Sequence, residues 1–249
     1  MYCIRLRFTY FFIFFLGALL LPAQEIVPLG NELLGSQEDE EYGLIHELSD
    51  NGQRLIVGRT YLDTAGNDRG VVVYQQDFQG TWAPLGDPIA PSSAEEQTGK
   101  AVAISDDGSR IAVSSEDETS GFITVYAFNQ VEEKWQLLGD TLADDTQRSY
   151  GDGLTFSGDG HTLAFVGVPA INTAGDAYLF RWDGTEWIDD NLVFSDAFAP
   201  TSFALSNDGN VLAAANIFNT ENDRGEVRVY KRNNGSWQQR GDAWRGAST

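Results

Sequence analysis

The side chains that most often carry catalysis are few in this chain. There are two histidines, His46 and His161, and one cysteine, Cys3. No His-x-x-x-His or comparable pair occurs, so the spacing predicts no zinc site. Without a further thiol or a Ser-His-Asp arrangement, nucleophilic catalysis has no visible apparatus. The sequence therefore predicts no catalytic, metal-ligating or cofactor-binding residue and favours a protein that is not an enzyme.

Serine is the one potential nucleophile that recurs, and its spacing argues for a structural role. It opens four Ser-x-x-Gly turns that lie about 50 residues apart: Ser49 to Gly52, Ser105 to Gly108, Ser157 to Gly160, and Ser206 to Gly209. A catalytic residue would rarely be repeated four times, whereas a short hydroxyl side chain in a turn bonds the nearby backbone. The Asn-Gly and Asp-Gly pairs supply the positive φ angles of tight hairpins.

Carboxylates are plentiful, with 37 Asp and Glu residues in 249. Glycoside hydrolysis by paired carboxylates is therefore an open alternative. Acidic runs precede several units, and we expect them to lie on one rim, as a solvated edge or as a diffuse cation site; they are Glu38–Glu41, Glu95–Glu96 and Asp144–Asp145. No Asp-x-Asp-x-Asp-Gly loop of the calcium-binding kind occurs, so calcium is an alternative and not a prediction.

The turns belong to a longer repeat that predicts the architecture. Each unit reads as an alternating strand, the serine turn, a continuously apolar strand, a strand that ends in an aromatic residue, and a fourth strand with a tryptophan. The tryptophans are Trp82, Trp135, Trp187 and Trp237. Units of this length built from short strands are typical of propeller blades, because one sheet cannot cover its own two apolar faces. A β-sandwich would not explain why turn, aromatic residue and tryptophan return in register.

The sequence thus predicts an all-β fold, a β-propeller of four-stranded antiparallel blades. We place the blades at about 42–90, 98–143, 150–194 and 199–246. An extra strand is predicted over 26–34, since it repeats the fourth-strand pattern in front of the first blade. Two alternatives stay open: an incomplete ring that belongs to a longer protein, and a closed four-bladed ring with the extra strand outside.

A few residues depart from the repeating pattern of the units. His46 takes the position of Val102 in the next unit, so we expect a satisfied histidine between blades. His161 follows a turn glycine and is expected to be solvated. The repeated tryptophans are expected to pack between blades, whereas three other aromatic residues break the register and are better candidates for exposed contact: Trp182, Trp244 and Phe218.

The first 23 residues are typical of a secretory signal peptide. Arg5 and Arg7 precede an apolar stretch from Phe8 to Leu21, and a small residue, Ala23, precedes the expected cleavage site. The apolar stretch is shorter than the roughly 20 residues that span a bilayer, so no stable membrane span is predicted after cleavage. Residues 24–249 would form the propeller, and the protein would be secreted, in the extracellular space or at the cell surface.

The chain is strongly acidic, with a formal net charge of −21. Without Arg5 and Arg7 of the predicted signal peptide, 14 basic residues face 37 acidic ones. Such a surface repels nucleic acid and anionic lipid, so neither is a predicted partner.

Several features of the units resemble FG-GAP-type repeats, the integrin-α-like propeller repeats of secreted proteins. They are Tyr42-Gly43 and Tyr150-Gly151 before the first strands, the Ser-x-x-Gly turns, Gly167-x-Pro169, and the run Gly225–Tyr230 with its Trp237. Units one, two and four lack Gly-x-Pro, the fourth unit lacks the aromatic-Gly pair, and the calcium loops of that family are missing, so calcium binding does not carry over. The resemblance implies a binding or adhesion scaffold.

Three hypotheses about function follow. The first is a secreted, non-enzymatic propeller that binds an extracellular protein or glycan. The second is a carbohydrate-active propeller, hydrolase or lyase, that uses carboxylates on its rim. The third is an adhesion module that depends on a cation.

Overall fold

The computed structural model describes ten stretches of the chain: 27–35, 42–59, 70–93, 96–116, 120–146, 148–169, 176–190, 194, 198–217 and 225–246. These residues form eighteen β-strands and no helix. The predicted signal peptide, residues 1–23, lies outside them, as do Phe218 and the acidic run at 38–41. No helix in the described stretches is both long enough and apolar enough to cross a membrane.

The strands form four antiparallel sheets, which we call blades 1 to 4. Blade 1 comprises β1 (Ile45–Leu48), β2 (Arg54–Arg59), β3 (Gly70–Gln76) and β4 (Trp82–Pro84). Blade 2 comprises β5 (Gln97–Ile104), β6 (Arg110–Glu116), β7 (Ser120–Asn129), β8 (Lys134–Leu137) and β9 (Leu142–Thr146). Blade 3 comprises β10 (Arg148–Phe156), β11 (Thr162–Pro169), β12 (Asp176–Trp182) and β13 (Trp187–Asp189). Blade 4 comprises β14 (Ser202–Leu205), β15 (Val211–Asn216), β16 (Glu226–Asn233), β17 (Ser236–Gln239) and β18 (Trp244–Arg245).

Each blade is a meander in which consecutive strands pair, as the repeat predicts. In blades 1, 2 and 4 the outermost position is filled in two pieces, because a Gly-Asp step interrupts it. In blade 2 both β8 and β9 pair with β7, and in blade 4 both β17 and β18 pair with β16. In blade 1 the second piece is a single bridge from Val71 to Ile89.

The core lies between the blades, in three apolar clusters that each join one blade to the next. Between blades 1 and 2, side chains such as Val71 and Val73 of β3 pack with Val102 and Ile111 of blade 2. Comparable clusters join blade 2 to blade 3 and blade 3 to blade 4. A sheet with two apolar faces is stable only when neighbours cover both, so the blades stabilise one another in series.

Blades 1 to 4 pack in chain order, and the series remains open. The first strand of blade 2 lies against β2 of blade 1 and against β10 of blade 3, and β10 also lies against β14 of blade 4. No extended contact joins the described strands of blade 4 to those of blade 1. The predicted all-β architecture of stacked four-stranded sheets is confirmed, while closure into a ring is not observed among the described residues.

The strand predicted over 26–34 is wrong as a strand, because residues 27–35 make no ladder hydrogen bonds. The segment nevertheless lies where a fourth strand of a preceding blade would lie. Asn31 exchanges two hydrogen bonds with the backbone of Trp82, at 2.7 and 3.4 Å, and Leu33 packs against the apolar cluster of Val57 and Val72. Among the described strands none pairs with this segment.

Candidate functional site

The four serine turns lie at one end of the blades, where each first strand meets the second. We call them the inner turns. Each serine hydroxyl donates to the side chain two residues on and accepts the amide five residues on; in blade 2, Ser105 Oγ lies 2.7 Å from Asp107 Oδ1 and 3.0 Å from Arg110 N. The last glycine of each turn has a φ between +62° and +71°. The interpretation that these serines recur for their hydrogen bonds in the turns is therefore confirmed; Ser49, Ser105 and Ser157 are buried and Ser206 is half-buried.

Backbone hydrogen bonds join the inner turns into a row that crosses three blades. The amide of Asp106 donates to the carbonyl of Gly158 over 3.0 Å, and the amide of Asp159 donates to the carbonyl of Asn207 over 2.9 Å. The turns of blades 2, 3 and 4 are thus held at fixed spacing by bonds that do not depend on side chains.

A side-chain hydrogen bond bridges the row from blade 2 to blade 4. Asn207 Nδ2 donates to Asp106 Oδ2 over 2.8 Å, although 101 residues separate them. Gly158 of blade 3 lies beneath this bond: a Cβ atom there would come within 2.1 Å of the carboxylate oxygen. The protein's own polar groups therefore fill the space between the inner turns of blades 2 and 4.

Arginines bind the inner turns of blades 2, 3 and 4 to the preceding blade. Arg54 of blade 1 donates to the carbonyl of Gly108 over 2.8 Å, and Arg110 of blade 2 donates to that of Gly160 over 2.7 Å. Thr162 replaces the arginine in blade 3, and there Arg181 of the third strand reaches the carbonyl of Gly209 over 3.3 Å. Burial lowers the pKa of Arg54 and of Arg110 below the ordinary value of arginine.

One carboxylate at this end has an unusual proton affinity. Glu47 of β1 accepts the amide of Ile104 over 2.9 Å, across the interface of blades 1 and 2. Burial raises the pKa of Glu47 from 4.5 to about 7; the hydrogen bond from Ile104 opposes this rise and the negative charge of Asp106 adds to it. A carboxyl that titrates near neutrality beside another acidic group is able to act as an acid or a base. The sequence did not single out Glu47, because only the fold brings it against blade 2.

The hairpins between third and fourth strands lie at the same end, farther from the first strands. We call them the outer hairpins. In blade 1 Asp77 Oδ1 accepts the amides of Gln79 and Thr81, each over 2.8 Å. In blade 2 Asn129 Oδ1 accepts the amide of Val131 over 2.9 Å. These bonds fix the turns, so each hairpin presents its tip in a defined conformation.

Two of the outer hairpins carry large apolar side chains in water. Phe78 of blade 1 is 96% exposed and Val131 of blade 2 is 93% exposed. Both occupy the same hairpin of neighbouring blades, and the blades are packed together, so the two side chains belong to one rim. Apolar side chains that are held rigidly in solvent are suited to contact with a partner.

The structure places the histidines as follows. His161 is exposed, as predicted, and its Nε2 lies 3.3 Å from Arg110 Nη2. The prediction that His46 would lie between blades is wrong: its side chain is exposed and its Nδ1 lies 2.8 Å from the carbonyl oxygen of Gly43. Among the described residues no blade packs on this side of β1, whereas the equivalent Val102 packs against blade 1.

The tryptophan predictions have mixed outcomes. Trp135 and Trp187 pack between blades, and their indole N–H groups donate to Leu85 O (2.9 Å) and Leu138 O (2.8 Å) of the preceding blade. The expectation of exposure is confirmed for Trp244, which is 68% exposed. It is wrong for Trp182, which is half-buried because its ring lies against Trp187, at a ring distance of 5.5 Å, and beside Gly139 of blade 2.

The prediction of a solvated acidic rim is wrong for Glu96, the one described side chain of those runs. Glu96 is buried, accepts the amide of Ser92 over 2.8 Å and accepts the hydroxyl of Thr98 over 2.6 Å. Burial alone would raise the pKa of Glu96, but the hydrogen bonds outweigh it and lower the pKa. In the described stretches no group of three or more His, Cys, Asp or Glu side chains could hold a metal ion.

Blade 4 contains a buried ion pair that the sequence did not indicate. Glu226 and Arg228 of β16 are paired and buried, Arg245 Nε lies 3.2 Å from the same carboxylate, and the Arg228 guanidinium lies 4.4 Å from the ring centre of Phe198. The hydrogen bonds from both arginines lower the pKa of Glu226 against the raising effect of burial. Arg228 corresponds to Val72 in blade 1, so the repeat does not predict a charged residue at this position.

Comparison with known proteins supports the fold alone. No family profile and no curated protein sequence matches this chain. A solved candidate 6-phosphogluconolactonase from Bacteroides uniformis superposes with a TM-score of 0.56 at 14% identity, over 81% of this chain and 54% of that one. A protein from Lactobacillus plantarum superposes with a TM-score of 0.51 at 17% identity, over 79% of this chain and 53% of that one. Both are β-propeller-type structures, and the chain spans about half their length.

Proposed function

We propose that this protein is a secreted binding scaffold, a propeller-type stack of blades that contacts an extracellular protein or glycan without chemical turnover. The observation that carries the proposal is the pair of exposed apolar tips, Phe78 and Val131, on hairpins that side-chain caps hold rigid. The apolar leader before Ala23 supports export, and the resemblance to FG-GAP-type repeats supports the adhesion class.

The packing of the inner turns also supports a binding role over a catalytic one. A catalytic cleft needs a concave site with convergent polar groups. Between blades 2 and 4 the row of inner turns, with its bond from Asn207 to Asp106, occupies the space where such a site would lie. The outer hairpins are the part of this end that remains free for a partner.

Binding is tested on immobilised chitin, alginate, peptidoglycan, collagen and fibronectin by interferometry with the full chain. The double variant Phe78→Ser and Val131→Ser is compared with the control variant Ile188→Ser, which removes an apolar side chain that is 45% exposed on β13. We expect at least one probe to bind, with an affinity about tenfold weaker for the double variant and unchanged for the control. Equal binding by all three proteins, or binding to none of the probes, would contradict the proposal.

A second candidate function, carbohydrate hydrolysis or lysis by carboxylates, is favoured by one observation. Glu47 has a pKa raised by burial to about 7 and lies near a second carboxylate, Asp106, and neighbouring carboxylates serve as acid and base in glycosidases. Incubation with the same glycans, followed by measurement of reducing ends or unsaturated products, tests this candidate. Turnover that is lost in Glu47→Gln would replace the scaffold proposal by the enzymatic one.

A further inference from the structure

The dipeptide Asn-Gly occurs twice in this chain, at Asn51-Gly52 and at Asn234-Gly235. In such a pair the backbone amide of the glycine can attack the asparagine side chain, because glycine has no Cβ atom to hinder the approach. The first pair lies in the inner turn of blade 1 and the second in the outer hairpin of blade 4. The two sites are thus alike in covalent structure and differ in their surroundings.

In the inner turn of blade 1 both reacting groups are held by hydrogen bonds. Oδ1 of Asn51 accepts the hydroxyl of Ser49 over 2.8 Å and the amide of Gln53 over 2.9 Å. The amide of Gly52 donates to the carbonyl of Ser49 over 2.8 Å. These bonds fix the orientation of the side-chain carbonyl and of the following amide, so they must break before the two groups can react.

In the outer hairpin of blade 4 the same two groups are free. Asn234 and Gly235 are exposed and have φ angles of +49° and +81°. Asn233 pairs with Ser236, so the two residues between them form the whole turn, as in a type I′ hairpin. Among the described residues, neither the Asn234 side chain nor the Gly235 amide has a hydrogen-bond partner. The side chain can therefore rotate toward the amide without the loss of a bond.

We infer that Asn234 is a site of spontaneous covalent modification, deamidation through a cyclic imide, and that the fold protects Asn51 from the same reaction. The Gly235 nitrogen gives up its proton to hydroxide and forms a bond to Cγ of Asn234, and the side-chain nitrogen takes a proton from water and leaves as ammonia. Water then opens the ring. Cleavage of the new bond gives aspartate, and cleavage of the original peptide bond gives isoaspartate, so the net reaction consumes water and releases ammonia.

The isoaspartate product changes the hairpin that holds blade 4 on blade 3. Its main chain runs through Cβ and Cγ, which lengthens the turn by one atom and disturbs a geometry that only a narrow set of backbone angles satisfies. Next to this turn Arg232 pairs with Trp237, and both side chains donate to the carboxylate of Asp190, over 2.6 and 3.0 Å. Modification at Asn234 therefore weakens the contact between blades 3 and 4.

The rates of deamidation at the two asparagines test the inference in one sample. The full chain is incubated in mildly alkaline buffer and digested at acidic pH, and mass spectrometry measures the conversion of each asparagine. In concentrated urea both sites should react at similar rates, since they share their covalent structure. In the folded chain Asn234 should react at least tenfold faster than Asn51, because such reactions depend on the approach of the two groups.

A substitution in the inner turn of blade 1 should release the protected site. Ser49→Ala removes the hydroxyl that donates to Asn51, so Asn51 should react severalfold faster while Asn234 keeps its rate. The matched control is Ser206→Ala, which removes the same hydroxyl from the inner turn of blade 4 and should leave both rates unchanged. Circular dichroism confirms that each variant is folded.

Urea denaturation measures the consequence for packing. Chains that contain isoaspartate at position 234 should unfold at lower urea than fresh chains, whereas Asn234→Asp, which adds the charge but keeps the normal main chain, should unfold like the fresh protein. A folded chain in which Asn234 reacts no faster than Asn51 overturns the inference. An unchanged rate at Asn51 in Ser49→Ala, or an equal gain in Ser206→Ala, also overturns it.

Discussion

Glu47 makes the stability of the protein depend on pH in an unusual direction. Its pKa rises from 4.5 to about 7 on folding, chiefly because of burial. Between these values the folded chain binds more protons than the unfolded chain, so the free energy of unfolding must fall as the pH rises. Each pH unit contributes about 1.4 kcal/mol, which gives a loss of at most about 3 kcal/mol between pH 4.5 and pH 8.

The substitution Glu47→Gln isolates this effect. Glutamine keeps an oxygen that accepts the amide of Ile104 but carries no titrating proton. We expect the variant to match the wild type near pH 5 and to be more stable by about 2 to 3 kcal/mol near pH 8. Urea denaturation at pH 5, 6, 7 and 8 gives both free energies of unfolding, and their difference removes the contribution of all other groups.

Asp87→Asn is the matched control, because it also neutralises one carboxylate but at an exposed position. Its difference from the wild type should stay nearly constant across the same pH range. If the profiles of the wild type and of Glu47→Gln run parallel, Glu47 is not a buried acid at the interface of blades 1 and 2, and the reasoning fails.

Four further substitutions and one double-mutant cycle test the packing between blades. Gly139→Ala and Gly241→Ala both place a side chain at a φ near +80°, but only the first meets a described atom within 4 Å, so it should lower the free energy of unfolding in urea by about 1 to 3 kcal/mol more than the second. Equal losses would speak against this interface. Trp187→Phe removes the indole N–H that donates to the carbonyl of Leu138 and should lower the free energy of unfolding by about 1 to 3 kcal/mol. An unchanged free energy of unfolding would mean that the bond is not formed. Gly158→Ala should break the hydrogen bond between Asn207 and Asp106 and lower the free energy of unfolding by about 1 kcal/mol. A double-mutant cycle with Asp106→Ala should then show coupling, and additive losses would contradict the arrangement.

The sequence predicted those parts of the fold that recur in every unit. The serine turns bond their own backbone within five residues, so each one can be recognised without knowledge of its neighbours. The tryptophans recur because every interface between blades needs the same anchor. A single unit thus contains the information for both.

Features that arise between units could not be predicted in the same way. The bond from Asn207 to Asp106 exists because the glycine at 158 leaves room for it, and no single unit contains this relation. The environment of Glu47 depends on blade 2, and the exposure of His46 depends on what lies in front of blade 1. The hairpin turns could be predicted, but which of them carries an apolar tip has no repeating pattern.

Repeats about 50 residues apart stack in chain order, so that the inner turns of blades 2 and 4 meet. Cysteines at Asp106 and Asn207, in a chain whose Cys3 is replaced by serine, test this stacking directly, since the Nδ2 and Oδ2 atoms of the native pair are 2.8 Å apart across 101 residues and the two positions lie within the span of a short thiol crosslinker. A short bismaleimide should join the two thiols within one chain, seen as the mass of one added crosslinker and a shift on a denaturing gel, while the pair Phe78→Cys and Asn207→Cys should stay unlinked. No crosslink at the first pair, or equal crosslinking of both pairs, would contradict the stacked-blade arrangement.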